Sequence, residues 1–113
     1  MKSTLIAAFL GLCSLSAIAA EAPFKVNAGP SNAGDLYTKI YVTSRTDSLL
    51  IKKITVNRGN CQDAEAIPWK PVRLGFGNTT DRLFVGKGFM STCNALEIAV
   101  DTDQGSWTFN TRQ

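Results

Sequence analysis

Three cysteines, Cys13, Cys61 and Cys93, carry the most reactive side chains in the sequence, and no histidine stands beside them. The missing imidazole excludes Ser-His-Asp and Cys-His nucleophilic catalysis, removes the commonest general base and rules out the ordinary imidazole zinc sites. A redox-cycling thiol pair generally needs a C-x-x-C spacing at a helix start, which lowers one thiol's pKa. Cys61 and Cys93 lie 32 positions apart, so they read as partners in a structural bond, and with both thiols paired no soft-metal site remains.

Hydrolysis by two carboxylates has candidates in Asp101, Asp103 and Asp81. The first two, however, fall in Asp101-Thr102-Asp103-Gln104-Gly105, where aspartate side chains bond nearby backbone N–H groups and shape a turn. The same stretch fails as an EF-hand calcium loop, because its glycine comes one place early and Arg112 stands where the closing glutamate belongs. These residue types specify no catalytic group, no metal site and no cofactor, and the chain is not expected to be an enzyme.

The compartment decides how the cysteines behave. Met1 and Lys2 precede an apolar stretch over residues 5–15, and Ala17-Ile18-Ala19 supplies small side chains before Ala20-Glu21. That layout predicts a secretory signal over residues 1–19, cleaved after Ala19. A membrane helix is the rival reading, but Ser14 and Ser16 interrupt a run that falls short of the ~20 apolar residues a bilayer demands. Leu12 before Cys13 does not fit a lipidation site, so no stable membrane insertion is expected once the leader is gone.

Cleavage leaves 94 of the 113 residues, one domain's worth, and lowers the formal charge from +3 to +2 as Lys2 departs. Cys13 goes with the leader, and the remaining pair is even, which in the oxidising periplasm or outside the cell predicts one disulfide. A domain of this size has a modest core. Closing a 32-residue loop is worth about 3.7 kcal/mol in the chain-entropy treatment.

The elements that must hold this bond alternate with period two. Residues 20–34, rich in Pro, Gly, Asn and Ala, read as an N-terminal arm with at most a short edge strand, followed by a β-domain over residues 35–113. Strands are expected at 36–44, with Leu36, Ile40 and Val42 on one face, and at 49–57. Lys52 and Lys53 put one charge on each face of the second strand, which predicts an edge position or a bulge.

Pro68 and Pro71 keep Ile67-Pro68-Trp69-Lys70-Pro71 out of a central strand, and one helical turn is open to residues 63–66. Val72, Leu74 and Phe76 then alternate. A turn at 77–81 leads to a strand at 82–89 that sets Leu83, Val85 and Phe89 against Phe84. Leu96, Ile98 and Val100 face a common side, and after the glycine of the 101–105 loop Trp107 and Phe109 return to the core. The fold class is all-β: a small antiparallel sandwich or barrel of five to seven strands with one disulfide.

For binding, Lys52, Lys53, Arg58, Lys70 and Arg73 with Trp69 and Phe84 could form a basic and aromatic surface for single-stranded nucleic acid. Export removes most such partners, so no nucleic acid is expected. Asn78-Thr79-Thr80 matches the glycosylation triplet, a pattern short enough to arise by chance.

The block Val56-Asn57-Arg58-Gly59-Asn60-Cys61, with Cys93, Leu96-Glu97-Ile98 and Thr102-Asp103-Gln104-Gly105-Ser106-Trp107-Thr108-Phe109, resembles small exported proteins encoded among conjugation and type IV secretion genes of Gram-negative bacteria. The resemblance spans roughly the last two thirds of the chain. It implies a periplasmic accessory or interaction role without enzyme chemistry, with Arg58 and Trp107 kept for contact or for packing beside the disulfide.

These readings converge on a periplasmic or secreted protein-binding accessory module whose partner is another protein, with Arg58, Trp69, Lys52 and Lys53 as candidate contacts. A secreted inhibitor of a host or competitor hydrolase is the alternative, with a rigid loop at 64–71 displaying Trp69 as its anchor.

Overall fold

Alternating apolar side chains form strands only where a neighbouring strand covers them, and in the computed structural model, which describes residues 21–88 and 90–110, almost every alternating segment finds one. The expected leader, its cleavage point and Phe89 lie outside the described residues. Eight strands form one antiparallel sheet: β1 (Phe24–Pro30), β2 (Tyr37–Ser44), β3 (Leu49–Val56), β4 (Cys61–Asp63), β5 (Val72–Leu74), β6 (Thr79–Gly86), β7 (Glu97–Thr102) and β8 (Gly105–Asn110). Seven follow the order β1-β2-β6-β4-β3-β7-β8, and β5 pairs with β3 beside them.

The sheet curls until its two ends meet. Phe24 of β1 packs edge-to-face on Trp107 and Phe109 of β8, with ring centroids 5.6 and 5.5 Å apart. Aromatic contact therefore closes what backbone pairing leaves open, and the result is a nearly closed barrel. Inside lie Ile40 and Val42 of β2, Leu49, Ile51 and Val56 of β3, and Ile98 and Val100 of β7, all without solvent exposure. Phe24 is 1% exposed, so the segment expected as an arm contributes a seven-residue strand and a core side chain.

In β3 the register against β7 shifts between Ile51 and Lys53. Leu49 and Ile51 are buried before the bulge, Ile54 and Val56 after it, and the change of parity leaves Lys52 and Lys53 both exposed. A regular strand would have driven one lysine into the barrel.

Three sequence expectations give way to neighbours that the local pattern does not contain. Phe76 lies in the turn after β5, 70% exposed. The strand expected at 82–89 begins at Thr79, and it buries Phe84 while Leu83 and Val85 are half-buried, because pairing with β2 and β4 sets its face. Residues 61–63, partly assigned to a helical turn, instead form β4. The hairpin between β7 and β8 tightens to Asp103 and Gln104; Gly105 adopts φ +131°, and a Cβ there would press on the Trp107 ring at 3.2 Å.

The buried hydroxyls are satisfied: Ser44 Oγ donates to the Thr46 carbonyl, and Thr102 Oγ1 donates to that of Gly105. Cys61 and Cys93 form the disulfide, with Cα atoms 5.5 Å apart. It fastens the segment that follows β6 to β4. That segment lies so close over Gly86 that a Cβ there would meet the Thr92 carbonyl oxygen at 2.6 Å.

Candidate functional site

β5 pairs with β3 only from Leu49 to Ile51, and β4 meets β3 only at Val56. Between them, among the described residues, positions 52–55 have no strand on that side, and a window opens between β3 and β6. Lys52, Lys53 and Ile54 line one wall, Arg82 and Phe84 the other, and Asp63 and Trp69 lie between, around a cavity of about 300 Å³.

The loop over residues 64–71 is pinned across this window. The Trp69 indole N–H donates to the Lys52 carbonyl at 2.7 Å, taking the place of a missing strand neighbour. Arg82 donates through Nε to Asp63 and through Nη2 to the Ile67 carbonyl, and its guanidinium lies 5.5 Å from the Trp69 ring centroid. Both oxygens of Asp63 are engaged, because the other one accepts the Glu65 N–H. Ile54 and Phe84 supply the apolar floor. Lys52 and Lys53 are exposed at the rim, and among the described residues neither ammonium makes a salt bridge or hydrogen bond, with Asp101 of β7 opposite Lys53 in the ladder.

Three of the four candidate contacts, Lys52, Lys53 and Trp69, thus come together, and Arg58 does not join them. It lies beside the disulfide, bordering a separate hollow with Asn57, Asn60, Leu96 and Glu97. Its guanidinium donates from Nε to both Glu97 oxygens, at 3.1 and 3.2 Å, and that hydrogen bonding first, then the carboxylate's charge, raises its pKa above the ordinary arginine value.

Asn57, next to Arg58, carries this corner. It and Arg58 both have left-handed backbones, φ 54° and 57°, a strained choice for residues with a Cβ. Asn57 Oδ1 accepts the N–H groups of Leu96 and Glu97, and Nδ2 donates to the Asn94 carbonyl at 2.8 Å. Asn57→Ala is expected to cost about 2 to 3 kcal/mol, combining these bonds with alanine's poorer tolerance of the left-handed backbone. Asn57→Asp, which keeps the acceptor and loses the donor, should lose about half as much; urea unfolding of the two variants checks the order.

Sequence reasoning passed over Arg82 and Asn57. Arg82 shares the face of Phe84 two residues away, and a cation on a core-facing register needs a fixed partner, which Asp63 provides. Of the three carboxylates considered for hydrolysis, Asp101 stands opposite Lys53 in the ladder between β3 and β7. Asp81 faces Lys39 at 3.9 Å, while Asp103 accepts the Leu50 N–H and lies 3.6 Å from Arg73. Among the described residues no group of three or more His, Cys, Asp or Glu is placed to hold a metal ion, and no helix is long and apolar enough to cross a membrane. Comparison with protein-family profiles, curated proteins and solved structures finds no match.

Proposed function

We propose that this chain is an exported protein-binding module that receives a partner at the window between β3 and β6, and that it works in the periplasm as an accessory of a conjugation or type IV secretion apparatus. The observation that carries the binding reading is the window itself. The sheet is interrupted there above a floor of Ile54 and Phe84, 9% and 3% exposed, its wall is fixed by the Trp69 indole, and two exposed lysines without a salt bridge among the described residues stand at its rim. The disulfide supports an oxidising compartment. The basic residues considered for nucleic acid are divided rather than pooled, since Arg58 is held by Glu97 and Arg73 by Asp103 and Ser48.

The inhibitor alternative needs Trp69 to protrude. Its ring is instead packed against the core and tied to Lys52, and the loop presents Ile67, 70% exposed. The contact reading is therefore preferred.

A photo-reactive phenylalanine analogue placed at Lys53, and separately at exposed Asn27 on β1, tests the proposal in Gram-negative cells carrying the neighbouring genes. A discrete protein adduct from position 53 and none from 27 is expected. Failure of position 53 to trap any protein would overturn the assignment of the window as a partner site.

A further inference from the structure

The charges around the window define what can enter it. Three cations and one carboxylate line it, and that carboxylate, Asp63, is spent on Arg82 and the Glu65 backbone. The next carboxylate is Asp101 of β7, which stands opposite Lys53 in the ladder without a salt bridge to it among the described residues, and the positive charges of Lys52 and Lys53 are both exposed because the bulge turns both outward. Between them and Phe84 the floor is apolar, and the cavity of about 300 Å³ is at the small end of ligand pockets, suited to a side chain rather than a whole cofactor.

We propose that the window binds an acidic segment of a partner protein, which seats one apolar side chain on Ile54 and Phe84 beside Trp69 while flanking carboxylates pair with Lys52 and Lys53. This assignment rests on the protein-binding reading above and adds the chemistry of the partner. Trp69 and Arg82 are already held by Lys52, Asp63 and Ile67, so the wall needs no ordering when the segment arrives. The lysine ammoniums are solvated, so they contribute mainly selectivity and a salt-sensitive encounter.

The test is an NMR titration of the oxidised chain with three blocked peptides: Asp-Asp-Leu-Glu-Glu, its Asn-Asn-Leu-Gln-Gln counterpart, and Asp-Asp-Ala-Glu-Glu. The Trp69 indole resonance, assigned through Trp69→Phe, should shift saturably with the first, together with signals of Ile54 and Phe84. The amide and alanine peptides should bind about tenfold more weakly. Lys52→Gln and Lys53→Gln should each weaken binding of the first peptide about two- to fivefold, and the pair about tenfold, with the difference vanishing in high salt.

Equal binding of the acidic and amide peptides, unchanged binding to the double glutamine variant, or no saturable shift with any peptide would each overturn the proposal. If cross-linking at position 53 still captures a protein partner in that event, the acidic-segment assignment falls and the binding reading stands. If cross-linking is also empty, both fall.

Discussion

Cys61→Ser combined with Cys93→Ser is expected to lower unfolding stability by about 3.7 kcal/mol, the chain-entropy value for a 32-residue loop. Against the 5 to 15 kcal/mol typical of a whole domain, that is roughly a quarter to three quarters of the total. The location of the bond argues for the full effect. β4 has three residues, meets β3 at the single pair Val56 and Cys61, and depends on β6 for the rest of its ladder. The segment after β6 has its own ties, the Cys93 N–H to the Leu36 carbonyl and the Asn57 side chain to the backbone of residues 94, 96 and 97. These hold local geometry but do not shorten the unfolded chain, so they cannot replace the cross-link. Urea unfolding of the oxidised protein and the double variant should show a midpoint lowered by about 1.5 to 3 M with both transitions cooperative. A change under about 1 kcal/mol would mean that native contacts outweigh chain entropy here.

Features that depend on a residue and its near neighbours were legible in the sequence. The alternation of Ile40 and Val42 reappears as the inward face of β2, which Ser44 continues. Adjacent lysines in an apolar strand forecast an edge position or a bulge, and the bulge is what occurs, because a regular pleat would bury a charge. Gly105 forecast the turn that its positive φ makes. Features set by distant partners stayed hidden. In β6 apolar side chains occupy both parities, so period two is silent and pairing with β2 and β4 decides that Phe84 goes inward. Trp69 could be picked out by type, but its direction comes from a Lys52 carbonyl that is free only because β4 and β5 stop short of each other. Arg58 drew attention by its charge beside a cysteine, whereas the neighbouring amide of Asn57 makes the connections.

Phe24→Ala is expected to cost about 3 to 5 kcal/mol, the range for deleting a buried phenylalanine ring. Phe24 sits in a segment rich in Gly, Asn and Pro, read as an arm with room for a short edge strand, and it is 1% exposed and touches two aromatic rings across the seam. Among the described residues no ladder joins β1 to β8, so this cluster carries the closure of the barrel. Phe24→Leu should recover much of the lost burial but not the edge-to-face contacts, which are worth about 0.5 to 1.5 kcal/mol per pair. A double-mutant cycle with Phe109→Ala should return a coupling of that size. In the alanine variant the seam loosens, which should expose Trp107 and red-shift its emission while leaving Trp69, on the far side of β3 from β8, unchanged. It should also uncover the unpaired edges of β1 and β8, so that the variant associates as its concentration rises. A loss below about 1.5 kcal/mol with Trp107 emission unmoved would place the closure of the barrel in the continuous β1-to-β8 sheet rather than in the aromatic seam.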